Sequence, residues 1–397
     1  MLSVHEALDL LLSRATPVAG TDTVGTIAAC GRVLAATQYA ALDLPPADNA
    51  AMDGYAVRSA GCGPDAALPV SQRITAGARP EPLAPGSAAR IFTGAAMPPG
   101  ADAVVMQEHC RPGPDGAVTL LHLPAPGEHL RRAGEDVRAG SVLLEAGTVL
   151  RPQELAYAAS CGLDRLPVAR RIRVAMLFTG DELATPGQPL APGQIYNANR
   201  YALGALLARL GCETSDYGIV PDRLDATRAA LRDAAAGHDL ILSSGGASVG
   251  EEDHVRAAVA AEGSVAMWKI AMKPGKPLAF GSAGGAHFLG LPGNPVAAFI
   301  GFLMFARPFI LRLQGAREVR PAPLMLRADF QVDRPDQRLE FLRARVNAAG
   351  ALELLPHQGS AILGSAVGAD GLVLRAPGQS IARGDAVPYL PFSSLLA

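Results

Sequence analysis

Between residues 171 and 313 the chain alternates short apolar runs with amphipathic stretches. Residues 171–178 (RIRVAMLF) and 214–220 read as strands. Residues 199–210, closed by Gly211, and 224–236 read as helices. An apolar run, Leu240 to Leu242, then stands ahead of a small-residue loop, and β pieces follow at 265–272, 278–281 and 287–291. Residues 295–313 form an apolar helix, with Asn294 in the N-cap place and Pro295 in the first turn. Strands alternating with helices predict a parallel, doubly wound α/β sheet.

The flanks have a different rhythm. Val4, Ala7, Leu8 and Leu11 recur at helical spacing behind Ser3 and Glu6, which are placed as a capping box. Residues 60–140 break into short apolar pieces between Pro and Gly, the pattern of a β-rich insertion. Residues 142–166 pass from a strand to a helix, and the tail (FLRARVNAAGALELLP, GLVLRAPG) reads as hairpin strands.

Composition narrows the function. A net charge of −2 offers no general attraction to nucleic acid or to an anionic membrane. Five scattered cysteines with no CxxC pair give neither a disulfide framework nor a zinc ribbon, and imply a reducing compartment. The N-terminal stretch lacks a basic region before its apolar residues, and the apolar run at 296–306 is short for a bilayer, so a cytoplasmic protein is expected.

The candidate chemistry gathers after the strands. Leu240 to Leu242 runs into Ser243, Ser244, Gly245, Gly246, Ser248 and Gly250, and then into Glu251, Glu252 and Asp253. Glycines and hydroxyls can cradle an oxyanion, and carboxylates beside such a loop make sense with an oxygen-ligated cation, Mg²⁺, between them. A glycine-rich turn with an acidic helix start would look the same locally. Ligands of open α/β sheets bind beyond the carboxyl ends of the strands. Thr179-Gly180-Asp181-Glu182, Pro221-Asp222, Lys273 to Pro277 and Leu291 to Pro295 occupy such ends, which brings acids and lysines toward one crevice.

The ordered motifs DNAAMDGYAV, RIFTGAAMPPGADAVVMQE, RRAGEDV, FTGDEL, GQIYNANRYAL, DLILSSGGASVGEEDHV, WKIAMKPGKPLAFG, GLPGNPVAAF, LEFLRARV and LPHQGSAILGS cover nearly the whole length. With them the chain resembles the MoeA family of molybdopterin molybdenumtransferases, related to the gephyrin E domain. The resemblance implies an elongated homodimeric subunit. Its expected parts are an N-terminal helix (1–20), a linking domain (21–40 and 141–170), a β-rich insertion (41–140), a molybdopterin-binding α/β domain (171–320) and a C-terminal β-barrel-like domain (321–397). It implies Mg²⁺-dependent insertion of molybdate into adenylylated molybdopterin with release of AMP, in a cleft between the α/β domain of one subunit and the insertion and tail of the other.

By resemblance Asp53, Asp136, Glu182, Asp222 and Asp253 are the catalytic acids, with Glu182, Asp222 and Asp253 as metal ligands. Lys269, Lys273 and Lys276 would neutralise anion oxygens, aided by Arg343 and Ser360. Ser243, Gly245, Gly246 and Ser248 would seat the pterin phosphate, while Thr93, Pro292 and Pro295 shape the cleft. The molybdopterin adenylyltransferase is the implied partner. Ala50, Ala247 and Ala297 depart from the family pattern, Ala297 removing a hydroxyl that could meet molybdate. An adenylyltransferase or nucleotide-salvage enzyme on the same α/β domain, and a non-catalytic clustering platform, are the alternative readings.

Overall fold

The computed structural model describes residues 1–113, 115–245, 254–334 and 336–396. Its centre is a six-stranded sheet, ordered Glu213–Val220, Arg173–Thr179, Leu240–Ser244, Ala286–Leu291, Pro277–Ala283 and Gly263–Lys269. Alternation within the Arg173–Thr179 strand sends Val174, Met176 and Phe178 into one core and Ala175 and Leu177 into the other. The first core is closed by the helices Val4–Leu12, Ala198–Arg209 and Pro295–Gly301, the second by Leu224–Gly237 and His254–Glu262. The sheet is thus covered on both faces, which is why its strands read as continuous apolar runs.

The sheet is not wholly parallel. Pro277–Ala283 runs antiparallel to both neighbours. A two-residue turn, Gly284 and Gly285 with φ of 52° and 96°, joins it to Ala286–Leu291. Two successive positive φ values are what a tight hairpin turn requires, and Gly-Gly supplies them without strain. Alternation alone missed this reversal, though the dipeptide carries its signal.

The capping box forms as expected. Glu6 N–H donates to Ser3 Oγ at 3.1 Å and Ser3 N–H to Glu6 Oε2 at 2.8 Å, docking the first helix on the main core. The Pro295–Leu313 helix has the length and apolarity to cross a membrane, yet 83% of that window is buried within the molecule. Pro308 does not end it. A π-helical turn at Phe302–Ala306 precedes the proline and absorbs its missing N–H.

Residues 54–120 build a second six-stranded sheet, ordered Ala103–Met106, Gly54–Val57, Ala88–Ile91, Ala67–Ile74, Ala117–Leu120 and Cys110–Pro112. It is tethered by two antiparallel pairs, Thr21–Gly25 with Arg165–Ala169 and Gln38–Tyr39 with Val142–Leu144. The tail forms a third sheet around Leu339–Val346, Gly371–Arg375 and Ala386–Pro391. Phe341, Leu372 and Leu390 of this sheet enter the same core as the α/β helices, so the two bodies share apolar packing.

A short strand joins them as well. The piece expected as one strand at 265–272 divides into Gly263–Lys269 in the α/β sheet and Met272–Lys273 in the tail sheet. Leu2 makes the break: its N–H donates to the Lys269 carbonyl at 3.0 Å, and its carbonyl accepts from Ala271 N–H at 2.7 Å.

Candidate active site

The order of the first three α/β strands places Arg173–Thr179 between Glu213–Val220 and Leu240–Ser244. The chain therefore leaves the central strand in one direction and returns on its other side, opening a crevice at the carboxyl ends. A cleft of about 460 Å³ lies there, lined by Thr179, Glu182, Asn197, Asn199, Gly245 and Asn294 among others.

Its floor is fixed by a small polar network. Asn199 Nδ2 donates to Ser244 Oγ and to the Gly293 carbonyl, both at 2.7 Å. Ser244 Oγ in turn donates to the Pro292 carbonyl at 3.1 Å. One amide thereby ties the strand end to the start of the Pro295–Gly301 helix. Gly245 turns the chain at φ 97°, and a Cβ there would stand 2.5 Å from the Thr179 carbonyl oxygen. Only glycine fits this approach.

Donors remain on the walls. Asn197 caps the Ala198–Arg209 helix by accepting from Arg200 N–H at 3.2 Å, while its buried Nδ2 has no acceptor among the described residues. Asn294 stands at the next helix start without a side-chain cap bond. Two helix N-termini and two amides facing one cleft suit an anionic ligand.

The expected acids fall in two groups. Glu182 lines the cleft, and Asp222 lies just beyond the end of Glu213–Val220. Asp53 immediately precedes the Gly54–Val57 strand of the second sheet, where it accepts from Thr93 N–H at 2.8 Å and Thr93 Oγ1 at 2.7 Å. These bonds, the backbone donor first, hold the Asp53 carboxyl below the usual aspartate range. Asp136 faces Tyr157, whose phenol is pushed up by burial and then by that carboxylate. The neighbouring charges are paired in their turn, since Arg132 Nη1 and Ala133 N–H both donate to Asp48 at 2.8 Å. Asp253, Gly246, Ser248 and Ala247 lie outside the described residues, and among those described no three His, Cys, Asp or Glu side chains gather as a metal site.

Lys269, Lys273 and Lys276 stand at the same carboxyl end, since the reversed strand starts where its neighbour finishes. The Leu240–Ser244 strand at the cleft lies two strand spacings, roughly 10 Å, from Pro277–Ala283 and three, roughly 14 Å, from Gly263–Lys269. Lys273 is engaged by the tail, 2.9 Å from Glu340 Oε1 and 3.4 Å from Asp336 Oδ2.

Two expected binders are held inward. Ser243 is 2% exposed, its Oγ without a partner among the described residues and packed where Gly290 leaves room, while Ser244 next to it reaches the cleft. Arg343 is 1% exposed and donates to Ser365 Oγ at 3.2 Å and to the carbonyls of Phe341 and Gly359 at 3.2 and 3.1 Å. Burial pulls its pKa down to about 10. It clamps the 357–361 loop rather than meeting a free oxyanion. That loop reaches the site through Ser360, whose carbonyl accepts from Val296 N–H at 2.9 Å, and through Ala361 on the cleft wall. Pro292 and Pro295 shape the helix entry, and Ala297 is buried beneath it.

Asn197 and Asn199 stand outside the expected site loops, and Ser244 and Asn294 lie in expected loops without an individual role assigned from sequence. Their signal was available in a polar helix start following a strand end, and in the period-2 rule that separates Ser243 from Ser244.

The chain matches three family descriptions: the MoeA N-terminal region (domain I and II) over residues 2–162, a "probable molybdopterin binding domain" over 175–312, and the MoeA C-terminal region (domain IV) over 326–392. It is 38% identical over 403 aligned residues to a Haemophilus influenzae protein named molybdopterin molybdenumtransferase, covering 100% of both chains. The chain belongs to the MoeA family. A relative of the same name from Nostoc is 41% identical over 333 residues, covering 81% of this chain and 76% of the relative. The crystal structure of the molybdopterin biosynthesis moeA protein from Pyrococcus horikoshii OT3 superposes with a TM-score of 0.83 at 28% identity, covering 98% of this chain and 100% of that one. Within this MoeA-family chain, the region matched by the probable molybdopterin binding domain, 175–312, contains most of the cleft lining.

Proposed function

We propose that this enzyme of molybdenum cofactor biosynthesis inserts molybdate into adenylylated molybdopterin and releases AMP. Its family membership supports the transferase class. The observation that carries the finer reading is a cleft at the α/β switch point that offers amide donors and two helix starts to an anion, with Glu182 on its wall.

The physical problem is to bring molybdate up to a dithiolene beside a phosphoanhydride, anion against anion. Asn197 and Asn294 bind and orient the phosphorylated substrate, Asn199 holds the floor beneath it through Ser244 and Gly293, and Gly245 lets the backbone approach it. Lys269, Lys273 and Lys276 neutralise oxyanion charge from further along the sheet edge. Glu182 and Asp222, with Asp253, fit a hard divalent cation because their donors are oxygens. Bound there, Mg²⁺ would polarise the phosphoanhydride and offset phosphate charge. Ser360 and Arg343 act through the loop beside Val296.

Among the described residues, the cleft lining includes none from the region of Asp53, Thr93 and Asp136. We assign those groups to the cleft of a second copy, which makes the working unit a homodimer in the cytoplasm, supplied by a molybdopterin adenylyltransferase.

The test is AMP release from adenylylated molybdopterin, with and without molybdate and Mg²⁺. AMP that appears only with both ions, and is lost in Asp253→Ala, supports the proposal. Bound substrate that never yields AMP overturns it in favour of a binding platform.

A further inference from the structure

The Leu339–Val346 strand carries a buried carboxylate, Glu340, which is 3% exposed. A cation stands opposite it on each side of the sheet. Lys273 is its partner on the parallel Met272–Lys273 strand, and Arg375 its partner on the antiparallel Gly371–Arg375 strand. Lys273 Nζ lies 2.9 Å from Glu340 Oε1, and the Arg375 guanidinium pairs with Oε2. Arg375 is itself 3% exposed.

This row is expensive to bury, and apolar residues at the same positions would pack without that cost. Stability alone does not account for the row, and the third member points to a role. Lys273 is half exposed and belongs by sequence to the lysine loop that follows the α/β strand, yet its charge is fixed from the tail. Asp336 supplies a second acceptor at 3.4 Å. Asp336 is otherwise taken up by Arg338, which donates through Nη2 at 2.9 Å and through Nε and its backbone N–H at 3.0 Å. An ammonium has three donors. Glu340 and Asp336 use two, which leaves one for a ligand.

We propose that Glu340 is a positioning residue: held by Arg375, it fixes the Lys273 ammonium on the lysine loop, further along the same sheet edge as the cleft, so that the cation meets the anionic substrate already ordered. The inference rests on the reading that Lys273 meets that anion. A free lysine must lose its rotamer freedom when it binds, whereas one clamped by a buried carboxylate has lost it on folding.

The test compares Glu340→Gln and Glu340→Asp with the wild-type full chain, alone and combined with Lys273→Met. The aspartate keeps a negative charge beside Arg375 and serves where the glutamine variant does not fold. Reductive methylation, read by mass spectrometry at each lysine, reports the clamp without any turnover. Lys273 should react about fivefold faster relative to Lys276 in the Glu340 variants, because a charge-assisted hydrogen bond no longer shields it. An unchanged Lys273 to Lys276 ratio overturns the inference.

Kinetics give the second readout. Loss of Glu340 should raise KM for molybdate about tenfold in the otherwise wild-type chain, the scale of one ordered lysine side chain. In the Lys273→Met background it should raise it less than about twofold, because residues that act through one another are not additive. Equal losses in both backgrounds would make Glu340 a folding residue only and refute the proposal. If the wild-type chain turns over no substrate, the functional reading falls, while the methylation ratio still decides whether Glu340 holds Lys273.

Discussion

Replacing Gly245 by alanine tests the geometry of the cleft floor. The residue sits at φ 97°, and an added Cβ would lie 2.5 Å from the Thr179 carbonyl oxygen and 3.1 Å from Thr179 Oγ1. Backbone in that conformation costs a non-glycine residue about 1–2 kcal/mol. The contact with backbone oxygen forces a shift worth about 1–3 kcal/mol more, because a carbonyl inside a sheet cannot swing aside as a side chain can. The sum, about 2–5 kcal/mol, is a large share of a domain's stability of roughly 5–15 kcal/mol. Gly293→Ala is the matched control, since among the described residues its Cβ would meet nothing nearer than the Gly245 Cα at 3.9 Å and its φ lies outside the left-handed region. In scanning calorimetry the transition containing the α/β core should fall by about 2–4 °C per kcal/mol for Gly245→Ala. The control should stay within about 0.5 kcal/mol of wild type. A Gly245→Ala protein as stable as wild type, or a control that loses as much, would refute the steric account.

Asn199→Ala removes the amide that ties Ser244 to Gly293, and should cost about 1 kcal/mol in urea unfolding while weakening substrate binding by calorimetry. Arg343→Met strips the 357–361 loop of its donors, so amide hydrogen exchange there should quicken while the α/β sheet keeps its protection. Burial alone would raise the Asp239 carboxyl, but the Arg170 pair and the Arg173 N–H outweigh it and hold the pKa below its ordinary value. That contribution is present above the unfolded pKa of about 4 and is lost as pH falls through the folded value, so Asp239→Asn should flatten the acid limb of the stability curve. Mixed dimers of Asp53→Asn and Glu182→Gln chains should regain about a quarter of wild-type AMP release, since random pairing leaves half the dimers with one intact site of two. No recovery would place both residues in one subunit's site.

Much of the fold was legible because its signals are local. The capping box at Ser3 and Glu6, the buried strands before Thr179 and Ser244, and the Pro295 helix start each depend on residues a few positions apart. What escaped depends on distant chain. The Met272–Lys273 strand exists because Leu339–Val346 pairs with it, and the break before it because Leu2 bonds across Lys269 and Ala271. Arg343 is expected as an anion binder by resemblance alone, and a basic residue between apolar ones gives no sign that the Phe341 and Gly359 carbonyls will consume its donors. Ser243 and Ser244 illustrate the same limit at close range, where one residue of register separates a core hydroxyl from one in the cleft.

The most direct test of the central claim is a crystal structure of the chain with adenylylated molybdopterin. The account predicts ligand density in the cleft between Gly245, Asn197 and Asn294, with a phosphate against the start of the Ala198–Arg209 or Pro295–Gly301 helix. Density elsewhere on the molecule, with this cleft empty at saturating ligand, would contradict it.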